Sequence, residues 1–192
     1  MLDDSKKNIH IISITGDLAS GKSTVANLLA EELGYSIHRN GAYARQIAKE
    51  LNMDITEYNK YVESHPEIDR KIEQSAAEYA ETHDNVIVDA RLGWYAVPHS
   101  FKVYLKVDIN VSARRALNDE NRKDTEMFST FEEQKKDIQK RYELENKRFL
   151  ELYGIYRQDL ANYDLVIDTS DLTPEETKNK IIENYNIWLK NK

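Results

Sequence analysis

The chain contains no cysteine. That excludes a disulfide framework, a thiolate metal site and a cysteine nucleophile. Glycine and proline are scarce, with six and three residues, so each is expected where the backbone demands it. Cations are in deficit: 27 lysines and arginines face 34 acids, a formal charge of −7. Coating nucleic-acid phosphates needs net positive charge or a segregated basic face, so a nucleic-acid polymer is not an expected partner. No apolar run approaches the roughly 20 residues of a membrane helix, which argues against a membrane partner. The opening MLDDSKKNIHIISITG places acids ahead of its lysines and no long apolar stretch behind them. No export signal is expected, and the cytoplasm is the expected compartment.

What is present suits one globular domain, expected over residues 1–192, with 40% hydrophobic and 32% charged residues. Strands are predicted at Ile9–Ile14, Tyr35–Ile37, Asn85–Asp89, Phe101–Val107 and Leu165–Asp168 from short β-branched or alternating runs. Helical spacing is read over Ser23–Leu33, Ala42–Leu51, Ile68–Ala80, Val111–Leu117 and Phe131–Tyr153. A last helix starts after Thr173, with Pro174 in its first turn and Glu176 completing a capping box. The alternation predicts an α/β fold, a five-stranded parallel sheet flanked by helices, with its ligand site at the carboxyl ends of the strands.

The most specific local signal is Gly16-Asp17-Leu18-Ala19-Ser20-Gly21-Lys22-Ser23, which fits the phosphate-loop pattern G-x-x-x-x-G-K-[ST] between a strand and a helix. A chance match in a strand-to-helix turn is the competing reading. Backbone amides of such a loop bind phosphate oxygens, and the following helix, through Thr24, adds its positive end. Lys22 is expected to reach the β- and γ-phosphates of ATP, and the Ser23 hydroxyl to ligate Mg²⁺. Asp89, closing the strand VIVD, is the candidate second metal holder; an ordinary strand-end cap is its alternative. Ala19 replaces a frequent glycine and is expected to fit with a negative φ. The five histidines form no ligand spacing, so no further metal site is expected.

Guanine-reading N-K-x-D and switch D-x-x-G motifs are missing, which leaves a small-molecule kinase. Kinases acting on alcohols need a base, commonly a carboxylate at the end of the second strand. This chain has Arg39, Gly41 and Arg45 there instead, groups suited to an anion. A phosphate acceptor needs no base, only positioning and charge neutralisation. On the long helix, Phe131, Ile138, Tyr142 and Phe149 form an apolar stripe, with Arg141, Glu145 and Arg148 beside it. Such arginines can neutralise a transferring phosphoryl group, and a solvated helix face is the bland alternative. Residues 118–130, preceded by Arg114 and Arg115, are polar and aperiodic. They are expected to be the heart of a mobile lid over about 114–148.

With these residues assembled, the chain resembles the cytidylate kinase family, nearest its compact archaeal-type members and their bacterial relatives. The resemblance runs over about Ile9–Leu189, through ITGDLASGKSTVA, NGAYARQIAKE, HPEIDR, VIVDARLGW, RYELENKRFLELYGI and YDLVIDTSDLTPEE in order. It implies a P-loop kinase fold and phosphoryl transfer from ATP with Mg²⁺ to a nucleoside monophosphate, CMP or dCMP. The implied acceptor region spans about 38–84. Gly41, Arg45 and Arg91 match residues that contact the acceptor, Arg141 and Arg148 match arginines that reach phosphates, and Glu145 matches an acid that reads sugar. Arg115 joins Lys22, Arg141 and Arg148 in the expected catalytic set. Asp168-Thr169-Ser170 matches a segment beside the donor adenine. Ala90 replaces a family glycine, and Lys106 stands where many bacterial members carry an aspartate that reads cytosine. A kinase for another small acceptor, such as shikimate or dephospho-coenzyme A, is the alternative, which an acid within hydroxyl reach in the acceptor pocket would favour. A nucleotide-binding regulator that has lost catalysis is the second. The expected assembly is a monomer or homodimer.

Overall fold

The inner strands are short, β-branched runs buried on both faces, as parallel strands between helices must be, while the edge strands are partly exposed. The computed structural model describes residues 10–53, 55–119 and 130–192. Strands β1 (Ile11–Gly16), β2 (Ser36–Arg39), β3 (Val86–Asp89), β4 (Phe101–Lys106) and β5 (Leu165–Asp168) pair in the order β2-β3-β1-β4-β5, all parallel. β1 is central and wholly buried. The period of two sends Ile12 and Ile14 into one core with Val25, Leu29, Ile181 and Tyr185. It sends Ile11 into the other, with Ala76, Ala80, Val86 and Val88.

The helices are α1 (Lys22–Leu33), α2 (Asn40–Glu50), α3 (Ile55–Glu63), α4 (Pro66–Thr82), α5 (Gly93–Ala96), α6 (Ile109–Asn118), α7 (Phe131–Tyr153) and α8 (Pro174–Lys190). α7 has the predicted bounds. Thr130 and Glu133 form a capping box at its start, and Gly154 ends it in the left-handed conformation, φ 69°. The predicted capping box of Thr173 and Glu176 opens α8. Two helices were not predicted. α3 is amphipathic but short, and α5 is a single turn against the sheet. α3 joins α2 and α4 through Ala48, Tyr58, Val62 and Ile72, a small core separate from the sheet. β2 runs two residues beyond its prediction, because His38 and Arg39 still pair with Val88 and Asp89. The core of the predicted lid, residues 120–129 including Arg122, lies outside the described residues.

Candidate active site

The phosphate loop leaves β1 at Gly16, where close approach admits no side chain: a Cβ would meet the Leu105 carbonyl oxygen at 2.5 Å. Gly21 precedes α1 at φ 88°, with no side chain capping the helix. The loop is anchored from below. The Asp17 carboxylate accepts hydrogen bonds from the Tyr104 hydroxyl at 2.5 Å, the Tyr142 hydroxyl at 2.9 Å and the Val107 amide at 3.0 Å. Asp17 therefore enters the site as a brace, its carboxylate turned inward. Burial and the Asp17 charge raise the Tyr104 pKa, so its phenol stays a donor.

Ala19 corrects an expectation. Its φ is +55°, left-handed and not negative. The loop turns here to direct its amides inward, and a methyl is small enough to pack against the cluster of Ala113, Ala116 and Ile138. Glycine's role at this position is thus filled at a conformational cost of about 1 kcal/mol.

The Ser23 hydroxyl donates to the Asp89 carboxylate at 2.9 Å. The two candidate metal holders, on α1 and β3, therefore meet. Arg39 lies 3.8 Å from the same carboxylate. One hydroxyl and one carboxylate suit Mg²⁺, which prefers oxygen ligands and usually completes its shell with water and substrate phosphates. The Ser20 hydroxyl is sealed from solvent without a partner. A cleft of about 340 Å³ runs along the outside of this loop, lined by Ala19–Val25, Arg115, Asp119, Thr169, Leu172, Pro174 and Thr177. Lys22, Ser23 and Thr24 are in it. Arg115 lines the same cleft, and its guanidinium is held by the chain. Its guanidinium donates to the Thr169 carbonyl at 2.7 Å and approaches the Thr169 hydroxyl at 3.3 Å, while that hydroxyl donates to the Ser20 carbonyl at 3.1 Å. Arg115 thus ties the β5–α8 loop to α6 beside the phosphate loop. Asp168, beside it, accepts from the Ser170 amide and hydroxyl.

On the other side of the loop the arginines gather. Arg91 is ion-paired with Glu145, and Arg148 Nε lies 2.7 Å from Asp69. Arg141 lies 3.7 Å from Asp137 on its own helix. Burial and the neighbouring charges of Arg157, Arg141 and Arg148 lower the Arg91 pKa, a measure of how crowded the cations are. A bound polyanion would relieve that crowding. Gly41 and Arg45 sit together on the exposed side of α2; a Cβ on Gly41 would lie 3.7 Å from Arg45 Nη1.

Several residues escaped the sequence reading. Arg157 is 2% exposed, follows α7 in an irregular segment, and bridges Glu145 and the Gly16 carbonyl, each at 3.4 Å. Its guanidinium also lies over the Tyr142 ring, 4.9 Å from the centroid. Nothing periodic marks a lone arginine there. Asp69 and Glu73 had a signal: they lie one turn apart on α4, beside the buried Ile72 and Ala76.

The described residues include no helix long and apolar enough to cross a membrane. Residues 11–171 match the cytidylate kinase-like family. A cytidylate kinase of Thermoplasma volcanium is 38% identical over 169 residues, covering 86% of this chain and 85% of that enzyme. An S-adenosylmethionine-dependent nucleotide dehydratase of Lacinutrix mariniflava is 36% identical over 175 residues, 91% of this chain but 35% of that protein. Among solved structures, shikimate kinase from Acinetobacter baumannii superposes with a TM-score of 0.58 at 18% identity, covering 97% of this chain and 96% of the other, a likeness of fold alone. The chain belongs to the cytidylate kinase-like family, and it is a P-loop nucleoside monophosphate kinase.

Proposed function

We propose that the chain transfers the γ-phosphoryl group of ATP to CMP or dCMP, giving the diphosphate. The observation that carries this reading is the cluster of Arg91, Arg141, Arg148 and Arg157 against the phosphate loop, linked to it by the contact of Arg157 with Gly16. A phosphate acceptor carries most of its second charge at neutral pH, so it needs cations and not a base. In this reading Gly41, Arg45 and Arg91 hold the acceptor phosphate, with Glu145 aligning Arg91 and reading sugar. Lys22 reaches the β- and γ-phosphates. Arg141 and Arg148 turn from Asp137 and Asp69 towards the transferring group, an interaction worth on the order of 10³-fold or more in rate. Ser23 and Asp89 would hold Mg²⁺, which would supply charge neutralisation for the polyphosphate. Arg115 acts at one remove, by holding the Thr169 loop on the donor side.

Asp69 and Glu73 favour a second reading, because they put acids on the acceptor side where a hydroxyl substrate would need a base. Asp69 is engaged by Arg148, however, and the arginines outnumber what a neutral alcohol requires. ADP release with ATP, Mg²⁺ and a panel of CMP, dCMP, UMP, AMP, GMP and shikimate separates the readings. Turnover concentrated on CMP or dCMP is expected. A folded, ATP-binding chain that phosphorylates shikimate and no monophosphate would overturn the proposal, as would one that phosphorylates nothing.

A further inference from the structure

Arg157 reaches the site through a turn that one glycine permits. α7 ends at Gly154, whose left-handed φ of 69° turns the chain. The irregular segment after it brings Arg157 against the start of the phosphate loop, where the residue is 2% exposed. Both its backbone and its side chain are held. The Tyr163 hydroxyl donates to the Arg157 carbonyl at 2.7 Å, and the guanidinium lies over the Tyr142 ring, 4.9 Å from the centroid.

One nitrogen of this guanidinium makes two contacts. Nη1 donates to the Gly16 carbonyl and to Glu145 Oε2, each at 3.4 Å. The other Glu145 oxygen, Oε1, is ion-paired with Arg91 Nη1. The Gly16–Asp17 peptide is also held through its N–H, because the Asp17 amide donates to the Leu105 carbonyl at 2.9 Å. A continuous line therefore runs from the first peptide of the phosphate loop through Arg157 and Glu145 to Arg91. Among the charged neighbours that lower the Arg91 pKa, Arg157 acts most strongly.

Packing does not account for this residue. Its Nε and Nη2 are sealed from solvent without hydrogen-bond partners. A buried, half-satisfied cation is costlier than an apolar side chain of similar size. Nor do the nearby acids call for it. Glu145 already has Arg91, and the Asp17 carboxylate already has three donors. What Arg157 provides is a join between the two sides of the site.

Resting on the monophosphate kinase reading, we propose that Arg157 is a positioning residue for phosphoryl transfer, holding the phosphate loop by the Gly16 carbonyl and aligning Arg91 by way of Glu145. The donor and acceptor phosphates then meet at a fixed separation. Without Arg157 each substrate keeps its own ligands, but the reacting atoms lose their alignment. A misplacement of about 1 Å is worth on the order of 100-fold in rate, so the effect falls on kcat and not on either KM.

The test uses the monophosphate that the parent chain turns over fastest. kcat and KM, for that acceptor and for ATP, are measured in Arg157→Met, Arg157→Lys, Glu145→Gln and the double variant Arg157→Met with Glu145→Gln, each checked by thermal melt. Arg157→Met is expected to lower kcat about 30–100-fold, with both KM values within about 3-fold of the parent. Arg157→Lys still offers one cationic nitrogen to the carbonyl and the carboxylate, so its loss should be only about 3–10-fold. In the double variant kcat should stay within about 5-fold of the lower single variant, because either substitution weakens the same line. If Arg157→Met does not fold, Arg157→Lys decides by the same split between kcat and KM. A kcat within about 3-fold of the parent in the folded Arg157 variants, a loss carried by KM alone, or losses that multiply in the double variant overturns this inference alone. A parent chain inert towards every monophosphate overturns the kinase reading beneath it.

Discussion

The Tyr142 hydroxyl, on the long helix α7, donates a 2.9 Å hydrogen bond to the Asp17 carboxylate in the phosphate loop. Through this contact the helix that carries Arg141, Glu145 and Arg148 is held in register with the loop that would carry ATP. Tyr104 and the Val107 amide use the same carboxylate, so one acid sets the height of the loop over β4 and its distance from α7.

Asp17→Ala should therefore act on stability first. It leaves two phenols and an amide without an acceptor in a buried place, and a loss of about 3 kcal/mol is expected. Tyr142→Phe removes one neutral donor and should cost about 1 kcal/mol. Denaturant titrations of both variants check the order; equal losses would count against the bracing role.

Ser23→Ala and Asp89→Asn should each raise the Mg²⁺ concentration needed for half-maximal turnover by about 10–100-fold. Neither should change the melting temperature by much, since the pair is exposed on the Ser23 side. A Mg²⁺ titration of steady-state rate measures this. An unshifted midpoint in both variants would remove the pair from the metal site.

Ala19→Gly should raise stability by up to about 1 kcal/mol, because glycine adopts φ +55° without steric cost. Ala19→Val should lower it by about 1–2 kcal/mol, combining a β-branched left-handed residue with crowding against Ala113 and Ala116. Thermal melts of the two variants should move in opposite directions.

The Glu73 carboxyl predicts a pH dependence of stability. Its folded pKa of about 7 lies above the usual value of 4.5, chiefly through burial. The folded state thus holds this proton more tightly than the unfolded chain. Stability falls as pH rises from about 4.5 to about 7, and the penalty is complete above that range. Glu73→Gln should remove a penalty of about 3 kcal/mol at pH 8 and little at pH 4.5. Melting curves across this range read the difference.

Much of the site was legible because its chemistry is local. Gly16 to Ser23 are adjacent in sequence, and a strand before and a helix after suffice to aim their amides. The arginines on α7 follow from helical spacing beside an apolar stripe. The bracing residues were not legible for the same reason. Asp17 meets Tyr104 and Tyr142 across 87 and 125 residues of chain, and Arg157 reaches Gly16 across 141. No period or motif encodes such contacts. The backbone conformation of Ala19 was read wrongly because a side chain's fit in a left-handed turn depends on what packs against it.

By itself, the sequence determined the parallel α/β order and the phosphate-loop motif between its strand and helix, because strand and helix periodicity and short motifs act over a few residues. The tertiary structure decided which cations meet, and that Arg115 holds Thr169 beside the phosphate loop. Those outcomes depend on strand order and on which helix faces pack together, and both are set by burial summed over the whole chain.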